Sequence, residues 1–394
     1  LTTTIEAAEH AVGADSPAPL AGITVVEFTH MVMGPSVGVI LGDLGADVIK
    51  VEPPEGDRTR TLLGSGSGYF PMFNRNKRSI CLDLKEPADL AHAQGLCATA
   101  DVVIENFRPG TLARLGLGYD KLSADNPRLI YCSAKGFLKG PYEDRTALDE
   151  VTQMMGGLAY MTGPPGRPLR AGSSVIDITG GMFGVIGILA ALEQRHRTGR
   201  GAEIKCSLYE TTAFLVGQHI AQKAVTGAAA QPMPVRISAW AIYDVFETAR
   251  EGEQLFVGVV SDGQWKTFCA DFALDDLAAC LEWQTNNERV KARDEIIPRV
   301  TALFRSMPRE ELVARLEKSG LPFAPIAKPH ELVDDAHLNA AGGLLDVTLS
   351  DGTVARLPAL PLEFDGKRPG LFRDLPRPDQ HGEELREQLA AKEA

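Results

Sequence analysis

The sequence has no cysteines at CxxC spacing and no cluster of cysteine with histidine; its six cysteines are scattered at positions 81, 97, 132, 206, 269 and 280. That excludes the usual zinc ribbons and disulfide frameworks, and fits free, partly buried thiols in a reducing compartment. No metal site is expected. Basic charge is also short. Forty Lys and Arg face fifty-two Asp and Glu, a formal net charge of −12, so a nucleic-acid partner, which demands a basic surface, is not expected. No apolar run approaches the length of a bilayer span, and no membrane partner is expected. Residues 1–20 lack the basic and apolar regions of a secretory signal. They read as a loosely ordered leader, and the protein as cytoplasmic.

Two catalytic signatures are missing as well. No G-x-S-x-G elbow supports serine hydrolysis. The glycines of GPSVGVILGDLG (residues 34–45) fall as G-x-x-x-G-x-x-x-G rather than G-x-G-x-x-G, so the turn lacks the close backbone approach that a pyrophosphate needs. Glycine for tight helix–sheet packing is the better reading.

What is present is ordinary globular material: 394 residues, 44% apolar and 23% charged, too long for one small core. Strand-like runs at 23–29, 46–52, 78–84, 100–107 and 128–137 alternate with helical stretches at 35–45 and 88–100. This alternation predicts an α/β fold with a parallel sheet and helices on both faces. A long apolar helix is expected over 182–198, then a strand at 203–209 and a helix to about 226. The Ala/Pro-rich GAAAQPMPVR (227–236) reads as a connector. A small domain over 227–330 follows, with a hairpin turning at AREGE (249–253) and two helical stretches. Residues 331–394 then return to the large domain begun at 21–226.

Among candidate functional residues, Arg75, Lys77, Arg78 and Lys85 cluster in FNRNKRSICLDLK, and Arg108 and Arg114 in NFRPGTLARLG. Such cations beyond strand ends can meet the phosphates of a cofactor. His30, after the first strand, is a candidate acid–base group. Asp177, at the mouth of RAGSSVIDITGGMFGVIGILAAL, has two readings. It could simply cap the helix. It could equally be a carboxylate nucleophile, with glycine amides nearby for a developing oxyanion. Position alone leaves both open.

Taken together, LAGITVVEFTHMVMGP, LGDLGADVIKVEPPEGDRTR, NRNKRSICLDLK, ADVVIENFRPGTLARLGLGY, NPRLIYCSAKGF and the Asp177 segment with EQRHRTGRGAEIKCSLYE resemble the class III CoA-transferases, the CaiB/BaiF family. The resemblance implies a Rossmann-like large domain built from both ends of the chain, an inserted smaller α+β domain, and a homodimer of interlinked chains. It implies acyl-CoA and a carboxylic acid as substrates and no permanently bound cofactor. Asp177 would attack the acyl-CoA thioester and carry CoA as an aspartyl-CoA thioester. Carried over by motif, coenzyme A contacts would be Leu82 and Lys85 in CLDLK, Asn106 and Arg108 in NFRPG, and Arg114 in LARLG. His30 and Met31 in FTHM would lie near the thioester, and Asp149 in ALDEV close to the nucleophile. Racemases of the family use a His in a G-H-D triplet; here the triplet is Ala147-Leu148-Asp149, and leucine cannot shuttle protons. Val32 and Leu148 stand where formyl-CoA transferases carry Gln and Tyr, so formate and oxalate are not expected. The pattern looks closer to relatives that handle succinate, glutarate or mesaconate. A racemase or epimerase, or an acyl-CoA-binding protein without catalysis, are the alternative readings.

Overall fold

Apolar runs without polar alternation, such as Val25-Val26 and Val102-Val103-Ile104, suit strands covered on both faces. They form the centre of a six-stranded parallel sheet: β1 (Thr24–Phe28), β2 (Asp47–Glu52), β3 (Lys77–Cys81), β4 (Val102–Glu105), β5 (Ile130–Lys135) and β6 (Glu203–Ser207). The strand order is β3-β2-β1-β4-β5-β6, which is the order of Rossmann folds. Val26 of β1 stands in register with Ile49 on one side and Val103 on the other. The computed structural model describes residues 16–236, 238–340 and 342–393. Most of the leader expected over 1–20 therefore lies outside the described residues.

Two cores flank the sheet. One holds Val37, Leu41, Val102, Cys132, Ile188 and Leu192 beneath a first helix (Met33–Asp43) and a long helix (Val175–Thr198). The other holds Val26, Val103, Leu96, Tyr131, Leu385 and Leu389 beneath the helices Pro87–Thr99 and Gly382–Glu393. The chain divides into two compact units, one of residues 1–234 with 333–394 and the other Val235–Leu332. These limits lie a few residues from the 227 and 330 expected from composition. The smaller unit has its own antiparallel sheet, β7 (Ile242–Glu247), β8 (Gln254–Val259) and β9 (Phe323–Pro325). Its core is built on Phe246, Phe268 and Phe304. Five α-helices fill it among the described residues, where two were expected. In the larger unit a hairpin of β10 (Leu344–Thr348) and β11 (Val354–Pro358) precedes the tail.

Val175–Thr198 starts seven residues earlier than expected and corrects the membrane reading: by length and composition it could cross a bilayer. One of its faces is core instead. Gly180 and Gly181 leave room for Met33 and Ser36 of the first helix, where an added Cβ would stand 2.8 Å from each. At Gly184 a Cβ would meet Val37 and Cys206 at 3.1 Å.

The first helix uses glycine on its sheet-facing side. Gly34, Gly38 and Gly42, four apart, line one face. Beneath them lies a buried charge cluster. Lys77 donates to Glu27 Oε1 (2.8 Å), Pro35 O and Asn74 Oδ1, while Lys50 pairs with Asp57 (2.9 Å) and donates to Thr29 O. Burial pushes the Lys77 ammonium down to about 8, with Glu27 offsetting only part of the shift. This cluster corrects the sequence reading of the cations. Arg75 is buried against Asp43, Lys77 against Glu27, and Arg78 against Asp47 and Glu384, so none of the three is free for phosphate.

A Cβ on Gly38 would stand 1.8 Å from Glu27 Oε2 and 2.9 Å from Lys77 Nζ. The carboxylate cannot swing away without breaking its ion pairs, and disrupting a buried pair costs about 3–5 kcal/mol. Gly38→Ala is therefore expected to lose roughly that much stability. Gly140→Ala, where a Cβ meets nothing within 4 Å, should change stability by less than about 0.5 kcal/mol. Equal denaturant midpoints for the two variants would disprove this account.

Candidate active site

In sheets of this order ligands bind beyond the carboxyl ends of the strands, at the point where the strand order reverses. Here that point lies between β1 and β4. The turn after β1 carries Thr29, His30 and Met31; the loop after β4 carries Asn106, Phe107 and Arg108. The two loops are laced together. Asn106 accepts a hydrogen bond from His30 N (3.0 Å) and donates one to His30 O (2.8 Å), and the His30 ring lies 5.5 Å from that of Phe107. Met31 is held at φ 64°, a left-handed conformation that costs a non-glycine residue energy and clusters at functional sites. The imidazole loses water to the surrounding protein, which outweighs the pull of Asp57 and keeps its pKa below the ordinary 6.5. His30 is thus neutral at neutral pH.

Met31 leads directly into the first helix, whose opening turn packs on Gly180 and Gly181. By this route the β1 turn and Asp177, three residues before Gly180, share one end of the sheet. Asp177 occupies the third position of its helix. A cap at that helix start is required, because the first amides have no intrahelical acceptor, but Asp177 does not supply it. Ser174, at the cap position, makes no side-chain cap either. The acceptor comes from Asp149, at the start of the helix Asp149–Met155: its Oδ2 receives the N–H of Ile176 (2.9 Å) and of Asp177 (3.1 Å). Its Oδ1 accepts from Gln153, whose own carbonyl oxygen accepts from Ala171 N.

The cap reading of Asp177 is thereby removed. Its carboxylate receives no hydrogen bond from the described residues. Burial first, and the Asp149 charge second, raise its pKa to about 7, with Arg170 pulling the other way. A carboxylate that is poorly solvated, unbonded and destabilised as an anion is a reactive one.

The remaining sequence candidates fall into two groups. Lys85, Arg108 and Arg114 are exposed, Arg108 on the loop after β4 and Arg114 at the end of the short helix Thr111–Arg114 that follows it. Leu82 is buried, which leaves no side-chain surface for a ligand. Asp149 is also buried and committed to the backbone of the Asp177 helix. Three cations went unmarked in the sequence. Lys135 at the end of β5 pairs with Glu105 and donates to Phe107 O, bracing the Arg108 loop. With Lys205 and Arg108 it lines a cleft beside that loop. Arg170 lies beside Asp149 and Asp177. Lys135 closes a strand-like run in NPRLIYCSAKGF, the one sequence signal that could have found it. Among the described residues no group of acidic, His and Cys side chains could hold a metal ion.

Fold and site define an α/β protein with a bare carboxylate at a helix start and exposed cations beyond the strand ends of a parallel sheet. The chain belongs to CoA-transferase family III, the CaiB/BaiF family, whose profile matches residues 20–382. It is an enzyme of the CoA-transferase type. It is 34% identical to an acetyl-CoA:oxalate CoA-transferase of Acetobacter aceti over 95% of this chain and 97% of that one. It is 36% identical to a succinate–glutarate CoA-transferase of Agrobacterium fabrum, covering 90% and 93%. A CaiB/BaiF family protein from Brucella suis has the same fold at a TM-score of 0.82 and 34% identity, covering 95% of this chain and all of that one.

Proposed function

We propose that the protein moves CoA from an acyl-CoA, such as succinyl-CoA, to a second carboxylic acid, a dicarboxylate, with Asp177 as the nucleophile. An Asp177 oxygen adds to the thioester carbonyl, the C–S bond breaks, and CoA leaves as the thiolate with a mixed anhydride left behind. The thiolate attacks the Asp177 carbonyl carbon, releasing the donor acid as its carboxylate and forming the aspartyl-CoA thioester. The acceptor carboxylate then displaces the thiolate, and the thiolate attacks the acceptor acyl carbon of the new anhydride. Asp177 is regenerated as a carboxylate, with no oxidation and no net proton. The exposed Lys85, Arg108 and Arg114 would meet the phosphates of CoA, with His30 and Met31 near the thioester.

The observation that carries this reading is the division of labour at the helix start. Asp149 accepts the helix-start amides, which leaves the Asp177 carboxylate without a capping hydrogen bond. The exposed leucine at position 148 offers no proton relay for racemisation. The expectation against oxalate is not kept, since relatives named for oxalate and for glutarate are about equally similar to this chain. Oxalate and glutarate are both dicarboxylates, which supports a dicarboxylate as the acceptor class. The apolar ridge of Met182, Ile186 and Leu189 on the Asp177 helix, together with the exposed Phe214 packed against Phe183 of that helix, favours cover by a second copy in an interlinked homodimer. A cytoplasmic setting suits the free thiols.

The test is to incubate the protein with succinyl-CoA, trap with hydroxylamine or borohydride, and map the modification by mass spectrometry. The expected result is a hydroxamate or alcohol at Asp177. No adduct there, together with deuterium exchange at the acyl α-carbon, would replace transfer by racemisation.

A further inference from the structure

The surroundings of Asp177 have an electrostatic problem that their acids alone cannot solve. Asp149, Glu150 and Asp177 gather at the starts of two helices. A substrate acid must bring at least one more negative charge to the same place. Like charges at this separation repel strongly in a poorly solvated site, so anion binding there requires a cation with donors to spare.

Arg170 has them. Its Nε donates to Ala171 O at 3.2 Å, which fixes the base of the guanidinium. The two terminal nitrogens approach Glu150 at 3.4 Å and Asp149 at 3.9 Å, distances of ion pairing without a hydrogen bond. Both ion pairs are long, so the terminal nitrogens keep N–H donors for a further acceptor. Asp149 already spends Oδ1 on Gln153 and Oδ2 on the amides of Ile176 and Asp177. Glu150 is mostly exposed and solvated, its side chain at 57%. The Arg170 side chain, at 35%, is open enough to be reached from solvent. A planar guanidinium fork is the group that holds a carboxylate through two parallel hydrogen bonds.

Its offset from the nucleophile says which carboxylate. Asp149 stands between them, touching the Asp177 backbone with one oxygen and facing Arg170 with the other. A group gripped by Arg170 therefore lies to one side of the nucleophile, with Asp149 between. We infer that Arg170 anchors the second carboxylate of a dicarboxylic substrate while the first reacts at Asp177. This assignment rests on the acyl-transfer reading above, and it makes Arg170 the residue that selects dicarboxylates over monocarboxylates.

The test compares wild type, Arg170→Gln and Arg170→Lys at saturating succinyl-CoA, with glutarate against valerate and adipate against hexanoate as acceptors. The wild type should prefer the dicarboxylate of each pair. Arg170→Gln should raise the KM for the dicarboxylate about 10- to 100-fold, the range for losing a charged hydrogen-bonded contact, with the KM for the monocarboxylate nearly unmoved. Arg170→Lys, which keeps the charge but loses the fork, should recover part of the preference and carries the test if the glutamine variant folds poorly. A wild type without the preference, or variants that keep it in full, would overturn the inference. Failure of the wild type to form the Asp177 adduct would instead overturn the acyl-transfer reading, so the two failures are distinguishable.

Discussion

Asp177→Ala is expected to abolish CoA transfer, by a factor on the order of 10⁴ or more, because no other group can form the covalent intermediate. CoA binding should persist, since Lys85, Arg108 and Arg114 lie on other segments of the chain. Asp177→Asn, which keeps the shape, separates chemistry from folding. In the folded protein the Asp177 pKa, about 7, stands above its ordinary 3.8, so the native state binds this proton more tightly than the unfolded chain. Its influence on stability therefore turns unfavourable as pH rises from about 4 to 7 and is constant above. The asparagine variant escapes that loss. Above pH 7 it should be more stable than wild type by roughly 1–2 kcal/mol, a figure reduced for partial solvent screening, and the advantage should vanish near pH 4. Wild-type kcat/KM should rise with pH to a plateau above about 7, as the nucleophile ionises. Substantial transfer by either variant would end the nucleophile assignment.

Asp149 is expected to show two separable effects because its carboxylate does two things. Asp149→Ala removes the acceptor for the amides of Ile176 and Asp177, costing about 1–2 kcal/mol of stability as a lost helix cap. Loosening the turn that aims the nucleophile should lower kcat about 100-fold. Asp149→Asn can still present an oxygen to those amides but carries no charge. The repulsion that helps to raise the Asp177 pKa disappears, so the acid limb of the pH–rate profile should move to lower pH, with a smaller loss of kcat. If the limb stays in place in the asparagine variant, and the alanine variant keeps kcat within threefold, Asp149 is a neighbour and nothing more.

The parallel sheet was legible because its strands are buried on both faces and read as unbroken apolar runs; Val25, Val26, Val48 and Val103 need no partner to be recognised. The start of the Asp177 helix was not legible, because its cap comes from Asp149, 28 residues earlier in the chain. A side chain that caps from a distance leaves no local signature, and Asp177 was then read as a possible cap itself. The cations failed for the same reason. Arg75, Lys77 and Arg78 look like a phosphate-binding run, yet their acids, Asp43, Glu27 and Asp47, lie 31 to 50 residues upstream. Lys85 and Arg108, with no such buried partner, stayed on the surface. Arg170 escaped notice because a lone arginine in PLRAG has no periodicity, and its meaning comes entirely from the two helix starts beside it.

The outer edge of the sheet also sets an order of events for the newborn chain. β3 is an edge strand, and its free side is occupied by residues made about 300 positions later. Phe372 and Arg373 donate to Asn76, Cys81 donates to Asp379, and Ser79 and His381 exchange backbone hydrogen bonds through the histidine ring and carbonyl. Until that segment leaves the ribosome, β3 presents open amides and carbonyls, the template on which strands of other molecules can add. At synthesis rates of about 5–20 residues per second, the exposed edge must wait roughly 15–60 seconds for its cover. The residues from 372 to 386 thus act as a built-in guard on the edge of the sheet.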